Sequence, residues 1–266
     1  MSSTIGAGDF IPWDGACLVI GKAFAVTPMH AHYAIQIAFG SEPGIRFRPS
    51  EQVDWTEYDA VIISSRQPHT MDATVVAYDA VLFVEPETRE GRALSERYKN
   101  SGITALSSET LAGADSALFT TWQTHRNAPA TEAAARQVIQ RLTGGLESAV
   151  VSDERILRAI AYIKNHLGAT LTLEEVAAEA CLSPSRFRHL FVEQTGTALR
   201  PYVLWRRFLR AWEVVLRGDS LSTAAHEAGF ADAAHLTRTS NRMFGFPPSA
   251  LEVASSPERG RVQALR

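Results

Sequence analysis

The chain is poor in cysteine: Cys17 and Cys181 are the only two among 266 residues. So few, so far apart, exclude a disulfide framework and a cysteine-rich zinc site, and they fit a reducing compartment. No run approaches the ~20 consecutive apolar residues of a membrane span. The opening MSSTIGAGDFIPWDG has neither the basic start nor the apolar core of a secretory leader. A cytoplasmic protein without membrane contact is the expectation. Strong net charge is missing too, at −3 for pH 7. That near-balance hides a split: residues 1–151 hold 11 Lys/Arg against 17 Asp/Glu, and residues 152–266 hold 15 against 12. A basic half joined to an acidic half suits a nucleic-acid-binding module attached to something else. The length favours two domains over one, and 45% apolar residues are enough to give each a core.

What is present most plainly is a repeat. Residues 176–182 (VAAEACL) and 224–230 (AAHEAGF) align at a fixed offset. Each is followed by a second short helical stretch, Ser185 to Glu193 and Ala233 to Phe244, and then by Gly196 or Gly245. A small helix, a tight turn and a second helix form the helix-turn-helix plan, whose second helix lies in a major groove. The caps agree. Thr172 with Glu175 makes a capping box, and Ser183-Pro184 places serine at the N-cap and proline at the first helical position. Ser222 is the expected cap of the second unit. Gly229 sits at its turn, where a left-handed backbone costs glycine nothing, while Cys181 holds the matching place in the first unit. A helix opened by Pro201 and ended by Gly218 joins the units, with Val203, Leu204, Phe208, Leu209, Trp212 and Val215 on one stripe. An earlier helix runs from Asp153 or Ser152 toward Gly168. In the first recognition helix Phe187, Leu190 and Phe191 face inward, leaving Ser185, Arg188, His189 and Val192 outside.

Over LTLEEVAAEACLSPSRFRHLFVEQTG and AAHEAGFADAAHLTRTSNRMFGFPPSAL the C-terminal part resembles the AraC/XylS transcriptional regulators. Gly229-Phe230, then Leu236-Thr237-Arg238, then Phe244-Gly245-Phe246-Pro247-Pro248 is its most specific part. The resemblance implies that the long helix sets two recognition helices against one side of the duplex, in successive major grooves about 34 Å apart. It implies base-facing roles for Ser185, Arg188 and His189 and for Ala233, Thr237 and Arg238. Arg186, Arg206, Arg207 and Arg242 are the expected phosphate contacts, which position without specifying sequence. Two departures stand out. Ser240 occupies a place where the family usually has a core aromatic, and Ala233 and Ala234 offer no side-chain hydrogen bond to a base. Specificity is therefore expected mainly from the first unit.

The N-terminal half reads as short strands over 17–20, 34–39, 44–48, 60–64 and 80–84, separated by turns such as Ser41-Glu42-Pro43-Gly44. Many short strands suggest a β-sandwich or jelly roll. Their order, with His30-Ala31-His32-Tyr33-Ala34-Ile35-Gln36 and Pro68-His69, resembles the cupin barrel that serves as sensor in many AraC-type regulators. Positions i and i+2 of a strand share a face, so His30 and His32 can converge. By resemblance to catalytic cupins, His69 would complete a three-histidine metal set. Gln36 stands where those enzymes have a carboxylate, which speaks against oxidative chemistry. The favoured expectation is an effector pocket containing His30, His32, Gln36 and His69. The alternative is a metal-binding cupin, sensor or enzyme, holding a divalent ion at His30, His32 and His69. Trp13, Trp55 and Trp122 are further candidates to line the pocket, with burial in the core the commoner role for tryptophan. Residues 131–142 form a helix that either packs on the barrel or pairs with its copy in a homodimer.

The expected architecture is α+β. A cupin-like β-barrel or jelly roll with a linker helix occupies 1–145, a linker 146–151, an all-α double helix-turn-helix domain 152–254, and a loose tail 255–266. The expected function is a non-enzymatic, sequence-specific transcription regulator. Its partners would be double-stranded promoter DNA, a small-molecule effector and a second copy of itself, with no certain cofactor and a divalent metal as the open case. A three-layer α/β amidotransferase-like reading, suggested by residues 59–65, fails because it needs more alternating helices and a cysteine after a strand.

Overall fold

The computed structural model describes residues 5–98, 102–144 and 151–253. The expected tail, and all but Val151 of the expected linker, lie outside the described residues.

The N-terminal half is built on two sheets. The larger holds β1 (Gly6–Trp13), β2 (Ala16–Ala23), β4 (Ile35–Gly40), β7 (Ala60–Ile63), β9 (Asp79–Val84), β10 (Ile103–Leu106) and β11 (Leu251–Val253), in the order β10-β7-β4-β9-β2-β1-β11. The smaller holds β3 (Thr27–His30), β8 (His69–Asp72), β5 (Ile45–Arg48) and β6 (Thr56–Tyr58), in the order β3-β8-β5-β6. The five expected strands are all there; β1, β3, β6, β8, β10 and β11 were not anticipated, and β11 corrects the expectation that 152–254 is all-α, because its backbone is claimed by pairing with β1.

The central strands of the larger sheet are buried on both faces, so their side chains alternate between two cores. Leu18, Ile20, Ile37, Phe39 and Leu82 pack outward against α3 (Ala114–His125) and α4 (Ala128–Thr143). Cys17, Ala38, Val81 and Phe83 face the other way, toward Phe47 and Met71 of the smaller sheet. The helix expected at 131–142 is α4, and its buried residues Ala135, Val138, Ile139 and Leu142 are used inside the chain. Trp122 belongs to this outer core, with Nε1 donating to Asp9 at 2.6 Å. Trp13 packs beneath the Arg136 guanidinium and Trp55 beneath that of Arg48. Trp122 is thus a core tryptophan, and the three do not share one pocket.

The C-terminal half runs α5 (Glu154–Asn165), α6 (Leu173–Glu179), α7 (Pro184–Thr195), α8 (Leu199–Leu216), α9 (Leu221–Glu227) and α10 (Ala233–Phe244). Asp153 caps α5, the Thr172–Glu175 capping box opens α6, and Ser183 caps α7. Two local expectations are corrected. The cap of α9 is Ser220, whose side chain accepts from the Thr223 amide, so Ser222 lies inside the helix. The long helix begins at Leu199, and Pro201 is tolerated in its first turn because amides there have no helical partner. The departure at Ser240 also finds its reason. This fully buried serine donates its hydroxyl to the Phe246 carbonyl at 2.6 Å, tying down the turn after α10.

The two halves share one core. The cluster of Phe83, Val81 and Met71 continues without a break through Trp205, Phe208 and Phe244. Phe10 stacks on Trp212 with centroids 5.4 Å apart. Glu85, just after β9, accepts from Trp205 Nε1 at 3.0 Å and from Arg206 Nη1 at 2.7 Å. Strand β11 then extends the larger sheet by pairing parallel to β1, so the end of the helical half enters the strand half.

Cys181 and Gly229 both adopt left-handed backbone, at φ 52° and 77°. A residue with a Cβ pays roughly 1 kcal/mol or more for this conformation, and glycine does not. Cys181→Gly should raise the unfolding free energy by about 1 kcal/mol in urea titration. Gly229→Ala should destabilise sharply, since its new Cβ would collide with the Leu167 carbonyl oxygen.

Candidate DNA-reading face and ligand pocket

In α7 the buried side, Phe187, Leu190 and Phe191, packs toward α8, and Ser185, Arg186, Arg188 and His189 are exposed on the other. In α10 Leu236, Thr239, Ser240 and Met243 are inside, Arg238 and Arg242 are exposed, and Ala233 and Thr237 are half-buried. Among the described residues the side chains of Arg186, Arg188, Arg238 and Arg242 have no ion-pair or hydrogen-bond partner. Four guanidiniums left in water on the second helices of two matched units are available to phosphates and base edges.

The other two expected phosphate contacts are corrected. Arg206 is turned inward onto Glu85, with 16% of its side chain exposed. Arg207 donates from Nε to the Leu167 carbonyl at 3.0 Å and from Nη2 to Ala169 at 2.7 Å, holding the segment after α5. Both sit on a helix embedded in the core rather than on a reading helix. Sequence could not separate them, because an arginine on a helix flank looks the same whether it faces a phosphate or a buried carboxylate.

The four residues expected in the sensor pocket do come together. His30, His32 and His69 are buried, and one ring nitrogen of each lies within 4.8 Å of the others. Each Nδ1 faces a backbone carbonyl: His30 that of Pro28 at 2.8 Å, His32 that of Ala34 at 2.8 Å, His69 that of Gln67 at 2.9 Å. Carbonyls only accept, so each ring carries a proton on Nδ1 and keeps Nε2 as an acceptor when neutral. Burial, aided by the neighbouring His32, pushes His30 down to about 3, and burial lowers His32 and His69 as well. The Gln36 amide sits 2.8 Å from His32 Nε2 and 3.1 Å from His69 Nε2. Neutral rings are served by turning its NH2 toward them, and a cation among the rings is served by its oxygen.

Beside this cluster a cavity of about 90 Å³ opens between the inner face of the larger sheet and the helical half. Val81, Phe83, Met71, His30, Gln36 and Asp79 line it from one side, Phe244 and Phe246 from the other. Phe244 also stacks on Phe208 of the long helix at 4.3 Å and lies against His32 at 5.9 Å. These two phenylalanines belong to the signature stretch noted in the sequence, and their pocket-lining role was missed. So was Asp79, whose place in an apolar strand gave the only hint.

Two buried acids complete the picture. Burial raises Asp79 to about 7, while burial and the charge of Glu85 raise Glu87 to about 8. Tyr33 donates its hydroxyl to Glu87 Oε2 at 2.5 Å.

Residues 176–252 match the helix-turn-helix domain family. The arabinose operon regulatory protein of Escherichia coli is 31% identical over 102 residues, covering 36% of this chain and 34% of that protein. The transcriptional activator RhaS of Klebsiella pneumoniae is 28% identical over 112 residues, covering 42% and 40%. The chain thus spans about a third to two fifths of the length of these curated relatives. Among solved structures, ToxT of Vibrio cholerae superposes with a TM-score of 0.55 over 88% of this chain and 95% of that one, at 9% identity. At that identity the likeness is one of fold. ToxT has also been solved with an unsaturated fatty acid bound, at a TM-score of 0.52 and 11% identity, covering 88% and 92%.

The buried groups set a pH dependence. Glu87 and Asp79 bind protons more tightly folded than unfolded, so their contribution is full at low pH and is lost as pH rises toward about 8 and about 7. The three histidines act oppositely, gaining stability as pH rises to their ordinary value near 6.5 and none beyond it. The melting temperature should therefore fall between pH 6.5 and 8, and Glu87→Gln should remove much of that fall. An unchanged slope in the variant would refute this assignment.

Proposed function

We propose that this chain, whose C-terminal half carries an AraC-type helix-turn-helix domain, is a sequence-specific DNA-binding transcription regulator governed by a small molecule held in its strand-built half. The observation that carries the reading is the pairing of two matched units, each with unpartnered arginines on its second helix. Ser185, Arg188 and His189 are the base-facing group of the first unit, and Ala233, Thr237 and Arg238 that of the second. Arg186 and Arg242 take phosphates. The sensor is a cupin-like domain, with His30, His32, Gln36 and His69 in its effector site. We assign it no catalytic role. A ligand changes DNA binding only if it favours one arrangement of the two halves over the other, and the shared pocket supplies that differential contact. A homodimer completes the proposal. The apolar side of α4 is taken up inside the chain, which leaves its exposed side, with Ala133, Gln137 and Gln140, to face a copy.

A second reading is favoured by the donor geometry alone; the comparisons lend it no support. Three imidazoles whose Nδ1 atoms are held by carbonyls and whose Nε2 atoms converge are arranged as ligands of a divalent ion such as zinc or nickel usually are. His30, His32 and His69 would hold it, with the Gln36 oxygen alongside. Bound metal would then serve as a structural or sensory charge. Elemental analysis after dialysis should find about one ion per chain, lost in His32→Ala, and a metal-free wild type would remove the reading.

The main test is fluorescence anisotropy on the chain's own upstream DNA across salt concentrations, with scrambled competitor. Arg188→Ala should cost about 1–3 kcal/mol and relax the base preference, and Arg242→Ala should lower the salt slope by about one. Arg206→Ala should leave the salt slope unchanged. Binding that competitor abolishes would sink the proposal.

A further inference from the structure

We propose that the cavity between the strand half and the second reading unit takes a small apolar amine, its ammonium received by Asp79. This rests on the effector-governed reading above and names the chemistry of the effector. The first observation is placement. Asp79 opens β9 opposite Gly21 of β2 and Gly40 of β4, so it shares the inner face with Val81 and Phe83. Gln36 lies opposite Phe83 on the same strand pair, four residues away. At about 3.3 Å per residue the two polar ends of the cavity stand roughly 13 Å apart, with apolar side chains between them.

The second observation is what the polar groups can do. Asp79 accepts from the Ala23 backbone amide, and among the described residues no cationic side chain answers it. A buried carboxylate with no cationic partner calls for a ligand that donates, above all a cation. The reverse chemistry has no provision. The one lysine on the lining, Lys22, is exposed and lies next to Gly21, so strand alternation sends its side chain to the opposite face. A carboxylate or phosphate ligand would find no buried cation to receive it.

The third observation is size and position. A dry cavity of about 150 Å³ accommodates benzene, so 90 Å³ suits a short chain of about three carbons and not a long acyl chain. Phe244 and Phe246, which close it, continue directly from the second recognition helix. The ligand therefore touches both halves at once.

The test uses the intact chain at pH 7 with propylamine, propanol, propanoate and oleate, read by calorimetric titration and thermal shift. The amine should bind and stabilise, the alcohol should bind at least about tenfold more weakly, and neither acid should shift the melting temperature. Asp79→Asn keeps the volume of the side chain and should weaken the amine at least about 30-fold, the usual consequence of removing one partner of a buried charge pair. No response to the amine, equal binding by Asp79→Asn, or an acid that matches the amine would each overturn the proposal. The amine-against-acid comparison on the unaltered chain decides it even if the variant fails to fold. DNA anisotropy on the same samples separates the two levels: intact specific DNA binding without an amine response removes this inference alone, whereas amine binding without DNA binding removes the regulator.

Discussion

Everything in this molecule depends on the burial of one face of a sheet against a helix that belongs to the other half of the chain. The long helix α8 presents Tyr202, Trp205, Phe208 and Trp212 to the core, and the sheet answers with Phe83 and Phe10. Fully burying aromatic side chains of this kind contributes about 1.5–3 kcal/mol each, so the joint resists casual opening. Glu85 sets its register. A carboxylate with only 4% of its side chain exposed would be costly alone, and it is met by both the Trp205 indole and the Arg206 guanidinium. Such a pair adds little net stability over an apolar one, yet it tolerates only one alignment of helix on sheet.

That constraint carries function. The helix whose ends hold α7 and α10 is the same helix that the larger sheet grips, so the relative placement of the two helix-turn-helix units is not independent of the strand half. Phe244 makes the link concrete, stacking on Phe208 while it walls the cavity and touches His32. A ligand that filled the cavity would act on the end of the second recognition helix without crossing any intervening structure. The first unit is less directly tied to the sensor. Arg66 reaches Thr197, just past α7. Under the proposed function a ligand would thus bear on the second unit more than on the first.

The helical half was legible because its signals are local. Ser183-Pro184, the Thr172–Glu175 box and Gly229 each specify a backbone conformation from neighbouring residues, and the structure places them as expected. The reading failed where two local options compete, as with Ser220 and Ser222, both able to cap α9. In the strand half the apolar runs 17–20, 60–63 and 80–84 announced themselves. Strand β1, with Gly6, Ala7, Gly8 and Pro12 in it, did not, because its place is decided by pairing with β2. The histidine cluster was visible from spacing plus resemblance. Asp79, Glu85 and Phe246 were invisible as site residues, since their roles come from what lies across the interface. The same holds for Arg206: its charge was evident, and the carboxylate that claims it lies some 120 residues away in the chain.

The central claim is that the larger sheet and the second helix-turn-helix unit are one cooperative body, and amide hydrogen exchange on the free intact chain tests it most directly. Segments that open together exchange with the same free energy. If the account is right, the amides of Asn241–Gly245 at the end of α10 will be protected to the same extent as those of Val81–Val84 in β9, and both will respond together to denaturant. Rapid exchange at 241–245 with β9 still fully protected would show two halves that merely touch, and would contradict it.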